Sequence, residues 1–138
     1  MPLYLLDTDH CSLLQRGNAN VTSRYDETSD EELAVSVVGY EEQFRGWQGL
    51  INRVKNSEHL LLAYQSLRET KEFYCGFRML DFDFRANNIY LDLRQNHRRN
   101  GTMDLRIAAT ALANNAILVT RNTQDFAEIE NLKIENWA

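Results

Sequence analysis

Leu3-Tyr4-Leu5-Leu6-Asp7-Thr8-Asp9 is the segment from which the architecture of this chain can be derived. Its first four residues are apolar and uncharged and are followed by polar residues, which predicts a buried strand near the middle of a parallel sheet. Open α/β sheets bind their ligands at the carboxyl ends of the strands, so Asp7 is the first candidate for chemistry. The alternative is that Asp7 or Asp9 caps the next helix, because aspartate is a favoured N-cap.

Segments with strand and helix patterns alternate along the rest of the chain. Further strands are predicted at 33–38, 80–85, 116–120 and 132–136. Helical patterns occupy 10–17, 40–54, 57–78, 89–97 and 102–112. The polar segment 18–32 is interpreted as a solvated face or a helix end.

The bulk properties are those of a single soluble domain covering residues 1–138. This length is enough for a full hydrophobic core. The net charge of -5 argues against a generic binder of polyanions. Cys11 and Cys75 are too few for a disulfide framework or a zinc site, and we interpret them as free and reduced. No run could span a membrane and no export signal is recognisable, so a cytoplasmic location is expected.

Acidic residues follow three of the predicted strands. Asp7 follows the first strand, Glu41 or Glu42 lies just beyond the second, and Asp125 lies in the loop after the strand at 116–120. Carboxylates that meet at one edge of a parallel sheet repel each other, and a divalent cation removes that penalty. Oxygen ligands in this number select Mg²⁺ or Mn²⁺ over zinc and suit phosphodiester hydrolysis.

Asp104 adds a fourth carboxylate from the start of a helix. Thr102 is the expected N-cap, which places Asp104 in the first turn, where the helix dipole favours a negative charge. A role in the first turn does not explain why Asp104 lies on the apolar face of the helix, which it shares with Ala108, Ala111 and Leu112. A carboxylate on an apolar face is costly unless it is paired or bound to a metal.

The remaining polar candidates divide into a possible substrate site and structural residues. The basic cluster 94–99 precedes Asp104 and could hold a polyanion backbone, with a solvated loop as the alternative. His10 is interpreted as a structural residue rather than a ligand. Asp81 and Asp83 are expected on the solvent face of an alternating strand and are left out of the site.

Four segments in chain order resemble the PIN-domain family and, within it, the VapC-type toxins of toxin–antitoxin pairs. They are Tyr4 to Asp9, Val35 to Gly46, Gly101 to Ala109 and Leu118 to Phe126. The resemblance implies a three-layer α/β/α fold with a mostly parallel central sheet. It also implies an Mg²⁺-dependent endoribonuclease with an RNA substrate, a homodimer, and a cognate antitoxin that inserts into the active-site groove. The aromatic surface of residues 60–77 is a candidate for either protein contact.

The same resemblance assigns the metal ligands. Asp7 and Asp104 match the two most characteristic metal-binding acids of the family. Its helix acid is followed four residues later by glycine, which selects Glu42 through Gly46, although helical periodicity places Glu41 nearer the apolar face.

The fourth acid departs from the family pattern. Many members carry aspartate directly after a Thr-Arg pair, where this chain has Asn122, so Asp125 is expected to supply the charge. This departure favours a single cation. Asn122, Arg98 and Arg99 are the candidate substrate-binding residues.

Two alternatives belong to other functional classes. Asp7-Thr8-Asp9 also resembles the opening motif of haloacid-dehalogenase-type phosphatases, in which Asp7 would be a nucleophile. That motif requires threonine where this chain has Cys11, and a lysine just past a core strand, which no lysine here satisfies. The second alternative is a catalytically silent PIN-like interaction module. It predicts a missing acid at Asp7 or Asp104, and neither is missing.

Overall fold

Five short strands form one parallel sheet in this computed structural model, which describes residues 1–138. The strands are β1 (Tyr4–Leu6), β2 (Leu33–Ser36), β3 (Arg78–Leu80), β4 (Ile117–Val119) and β5 (Ile134–Glu135). Their order in the sheet is β3-β2-β1-β4-β5, and every neighbouring pair is parallel. The first strand is therefore central, as predicted, and all five carboxyl ends lie at one edge.

Seven α-helices connect the strands. They are α1 (Thr8–Gln15), α2 (Ala19–Glu27), α3 (Val37–Arg53), α4 (Ser57–Cys75), α5 (Phe84–Asn96), α6 (Thr102–Ala113) and α7 (Thr123–Phe126), with a 3-10 turn at Asp30–Glu32. The polar segment 18–32 thus contains α2 and the turn. None of the helices combines the length and the apolar character needed to cross a bilayer.

Side chains of the sheet alternate between two hydrophobic cores. Leu5 and Leu118 lie on one face, in a core to which α6 contributes Leu105, Ile107, Ala108, Ala109 and Ala111. Leu6 and Val119 lie on the opposite face, in a core with Cys11, Val21 and Tyr74 from α1, α2 and α4. The period of two along each strand therefore places helices on both faces. This arrangement confirms the predicted three-layer α/β/α fold class.

The second strand ends earlier than its apolar pattern predicts. The pattern runs to Val38, but β2 stops at Ser36, whose Oγ accepts a hydrogen bond of 2.9 Å from the backbone N–H of Gly39. This N-cap starts α3 at Val37. Burial continues at Val38 because the first turn of α3 still faces the core, so the hydrophobic run crosses the boundary between strand and helix.

The strand predicted at 80–85 is wrong in position. β3 ends at Leu80, and Asp83 caps α5 by accepting a hydrogen bond of 2.9 Å from the N–H of Ala86. Phe84, which the alternating pattern placed in the strand, is 81% exposed in the first turn of α5. Asp81 and Asp83 are exposed, as predicted, although neither lies in a strand.

Other helix boundaries also differ from the prediction, and α5 begins at Phe84, five residues before the predicted start. The first helix begins at Thr8 rather than at residue 10 because Asp7 caps it. Gly101 takes the N-cap position of α6, and Thr102 is its first helical residue. The fourth helix ends at Cys75, three residues before the predicted limit.

The two free thiols differ in exposure, and this difference gives a test of the fold. Burial raises the pKa of the Cys11 thiol to about 12, whereas Cys75 is exposed. Only a thiolate reacts rapidly with disulfide reagents. We expect one fast-reacting thiol in the native protein and a second only after denaturation, measured with a chromogenic disulfide. The Cys75→Ser variant should leave the native protein unreactive, and two equally fast thiols would contradict this core packing.

Candidate metal centre

Asp7 lies at the carboxyl end of the central strand and is buried, with 8% of its surface exposed. Its Oδ1 accepts a hydrogen bond of 2.7 Å from the backbone N–H of His10, so Asp7 is the N-cap of α1. The capping alternative for Asp7 is therefore realised. Capping uses only one carboxylate oxygen, because Oδ2 makes no hydrogen bond within the protein. Asp7 can cap the helix and still offer an oxygen to a cation.

Asp104 is half-buried in the first turn of α6. Burial raises the pKa of this carboxyl above the ordinary range of an aspartate, and the negative charges of Glu42, Asp7 and Asp125 raise the pKa further, in that order. Three acids from α3, the end of β1 and α7 thus act on one carboxyl group. The other three acids that the sequence proposed as metal ligands therefore lie within electrostatic range of Asp104.

Glu41 and Glu42 point to different surroundings. Glu41 accepts a hydrogen bond of 2.8 Å from Nε of Arg45 and a second from Nη2 of the same residue. Its charge is thus offset by a neighbour one turn along α3. Glu42 makes no hydrogen bond through its side chain and is the strongest of the three charges acting on Asp104. This arrangement favours Glu42 over Glu41 as a cation ligand.

Asp9 is held by an arginine from the other end of the chain. Nε and Nη2 of Arg121 donate to its two carboxylate oxygens at 2.6 and 2.9 Å. Such a two-fold contact is the strongest geometry for this pair. It ties the start of α1 to the loop after β4, and sequence reasoning missed it because 112 positions separate the partners.

A compact group of possible ligand atoms comes from Asp7, Asp9 and His10, whose oxygens and nitrogen lie within 4.8 Å of one another. Arg121 already engages Asp9. The ring of His10 is fully buried, and both of its nitrogens have partners in the protein. Asp7 is therefore the member of this group with an oxygen free for a cation, which agrees with the interpretation of His10 as structural.

The predicted substrate-binding residues lie in the turn before α6 and in the loop after β4. Arg98 and Arg99 are exposed in the turn between α5 and α6, and Arg98 lines a shallow groove of about 610 Å³ with Arg94. Asn100 ties this turn to the acidic edge by donating a hydrogen bond of 2.8 Å to the backbone carbonyl of Asp125. Asn122 is exposed in the N-cap position of α7, with no capping bond from its side chain.

Comparison with known proteins identifies the family. The model of the PIN domain matches residues 4–132. The chain belongs to the PIN-domain family. The predicted family is thereby confirmed, and the phosphatase alternative, with Asp7 as a nucleophile, is dropped.

Relatives within this family cover the whole chain. Ribonuclease VapC2 of Rickettsia felis is 29% identical over 143 residues, which is 98% of each protein. The structure of VapBC-1 from nontypeable Haemophilus influenzae matches with a TM-score of 0.77 and 26% identity over 98% of each chain. DNA-bound VapBC from Salmonella typhimurium matches with a TM-score of 0.82 over 100% of each chain, at 22% identity, and this supports the fold alone.

Proposed function

We propose that this chain is a divalent-metal-dependent endoribonuclease and the toxin of a type II toxin–antitoxin pair. The observation that carries the proposal is the electrostatic coupling of Asp104 to Glu42, Asp7 and Asp125 at the carboxyl edge of the sheet. A bound cation offsets the negative charges that raise the pKa of Asp104. Membership of the PIN-domain family and the ribonuclease VapC2 relative support hydrolysis of RNA as the reaction.

The donor set fits a hard divalent cation. Asp7, Glu42 and Asp104 would hold it through carboxylate oxygens, and His10, the histidine grouped with Asp7, already has a partner at each ring nitrogen. Mg²⁺ is our first choice and Mn²⁺ its substitute, because both prefer oxygen ligands. When bound, such a cation supplies water activation and neutralises charge on the phosphodiester. Asp125 is exposed, and we assign it contact through water, which favours one tightly held cation.

RNA would be held beside these acids by the basic turn. Arg98 and Arg99 are exposed cations, and the bond from Asn100 to Asp125 fixes this turn against α7. Arginine binds phosphate through paired N–H donors, so these residues suit the RNA backbone. Asn122 lies on the same side, next to the strand end, and is assigned to substrate contact.

A cleft that suits an antitoxin lies next to the candidate metal ligands. A cleft of about 970 Å³ between α1, α3 and α4 is bordered by Thr8 and Glu42. We propose that the antitoxin fills this cleft and directs a basic side chain to the acids, since VapBC is a family of toxin–antitoxin systems. Leu61, Leu62 and Tyr64 are more than half exposed on α4, and we assign this surface to the antitoxin or to a homodimer.

Removal of the metal gives the direct test. Exhaustive treatment with EDTA is expected to reduce cleavage of a total-RNA substrate to background, and added Mg²⁺ or Mn²⁺ should restore it. The physical reason is that four carboxylates without a cation cannot activate water at this edge. Cleavage is followed on denaturing gels, and the 5′ ends of the fragments are sequenced to define the sites cut.

The matched control is Asp26→Asn, which removes one exposed carboxylate from α2. This variant should lose and regain activity as the wild type does. Cleavage that survives exhaustive chelation would overturn the metal-dependent mechanism.

A further inference from the structure

We infer that His10 is a positioning residue that holds Asp7 in the orientation needed for metal binding, and that the backbone of Trp137 fixes the His10 ring for this task. The inference rests on the proposed function, because it deepens the role of Asp7 as a ligand. The His10 side chain has no other role in the proposed mechanism. His10 is 0% exposed and lies one helical turn after Asp7.

The first observation is the pair of contacts from His10 to a single oxygen. The backbone N–H of His10 donates to Oδ1 of Asp7 at 2.7 Å, and the ring Nδ1 lies 3.2 Å from the same oxygen. Two contacts from one residue fix the rotation of the carboxylate about its side-chain bonds. They leave Oδ2 as the oxygen that can face a cation.

The second observation comes from the end of the chain. The backbone N–H of Trp137 lies 3.3 Å from Nε2 of His10. A backbone N–H can only donate, so Nε2 must be the acceptor. The proton of the neutral ring then resides on Nδ1, where it donates to Asp7. Trp137, 127 positions away in the sequence, thus selects the His10 tautomer that donates to Asp7.

Trp137 is held firmly enough to perform this role. Only 3% of its surface is exposed, and its ring meets Tyr4 edge-on with 5.3 Å between ring centroids. The guanidinium of Arg24 lies 4.8 Å from the centroid of its ring, and its Nε1 donates to Glu135 at 3.0 Å. The N–H that contacts His10 is therefore part of a packed and hydrogen-bonded unit.

The test uses two amide variants that separate the contact of the His10 ring with Asp7 from its contact with Trp137. In His10→Asn, the amide nitrogen falls near the position of Nδ1 and can still donate to Asp7. In His10→Gln, the amide reaches the position of Nε2 and can still accept from Trp137, but the side-chain donor to Asp7 is lost and only the backbone N–H remains. We expect the asparagine variant to bind Mn²⁺ within about threefold of the wild type. The glutamine variant should bind roughly 10–100-fold more weakly, the range found when an outer partner of a ligand is changed.

Two measurements decide the question. Calorimetric titration with Mn²⁺ gives the affinities without any RNA, and circular dichroism verifies that both variants are folded. Nitrogen NMR of the metal-free wild type should show a protonated Nδ1 and an unprotonated Nε2 at His10. The NMR result does not depend on whether either variant folds.

The inference is overturned if the glutamine variant binds Mn²⁺ as tightly as the wild type, if both variants lose affinity equally, or if the proton resides on Nε2. Failure of the proposed function looks different. In that case the wild type itself does not bind Mn²⁺, and Asp7→Asn changes nothing in the titration.

Discussion

Replacement of Asp104 by asparagine is expected to abolish metal-dependent RNA cleavage and, at the same time, to stabilise the metal-free protein at neutral pH. Cleavage should fall by on the order of 100-fold or more, because the cation that Asp104 would hold supplies the electrostatic stabilisation of the reacting phosphate. The gain in stability follows from the raised pKa of Asp104, which is caused by burial and then by the charges of Glu42, Asp7 and Asp125. Both effects arise from the same group of carboxylates.

The pH dependence of this gain has a definite sign. The folded state holds the proton of Asp104 more tightly than the unfolded chain does, so ionisation of this carboxyl opposes folding. The cost is fully present above the raised pKa of the folded state and disappears as the pH falls below the ordinary pKa of aspartate. Asn cannot ionise. The D104N variant should therefore melt a few degrees above the wild type at pH 7 in EDTA, and the two melting temperatures should converge in acid.

Thermal melts between pH 3 and pH 8 in EDTA, with cleavage assays in Mg²⁺, measure both effects. Asp26→Asn removes the same charge from an exposed position on α2 and should change neither quantity. A D104N protein that melts below the wild type at neutral pH would contradict the coupling among the acids. Undiminished cleavage would remove Asp104 from the mechanism.

The part of this site that the sequence predicts follows from the parallel sheet. Asp7 and Asp125 come just after predicted strands, and Glu42 lies near the start of the helix after another, so all three reach the same edge once the strands are parallel. Asp104 is predictable because an acid on the apolar face of a helix needs a partner. Local sequence patterns suffice for Asp7, Asp104 and Asp125, whereas the choice of Glu42 over Glu41 comes from the family resemblance, against the helical periodicity.

The strand and helix boundaries show where such patterns fail. Val37 and Val38 continue an apolar run, yet they belong to α3 because Ser36 caps that helix. Phe84 continues an alternation, yet Asp83 starts a helix before it. In both cases a side-chain oxygen accepts a hydrogen bond from a free N–H and starts a helix where the strand pattern continues, and hydrophobic period alone does not contain that information.

The contacts that tie the candidate site together could not be predicted. Arg121 holds Asp9 across 112 positions, and Trp137 contacts His10 across 127. A single sequence gives no signal for pairs so distant, because neither partner has an unusual local pattern. Local patterns therefore predict which acids are present, but not the contacts by which Arg121 holds Asp9 and Trp137 reaches His10.

Asp7 combines a ligand role with a capping role, and two substitutions are expected to separate them. Asn is as good an N-cap as aspartate, so Asp7→Asn should keep the bond from the N–H of His10 to Oδ1 while losing the carboxylate charge. Alanine loses both functions and leaves the buried Nδ1 of His10 without its acceptor. RNA cleavage should fall by on the order of 100-fold or more in both variants.

Stability should distinguish the two variants. Both remove the same negative charge beside Asp104, so the relief of repulsion cancels when they are compared. The two variants then differ in the N-cap and in the acceptor for Nδ1 of His10, both of which alanine removes. The free energy of unfolding should therefore be lower by about 1–3 kcal/mol for the alanine variant in EDTA. Urea unfolding at equal ionic strength measures this difference. Equal stability of the two variants would show that the cap contributes nothing. An asparagine variant that still cleaves RNA would mean that the reaction does not need the negative charge of Asp7.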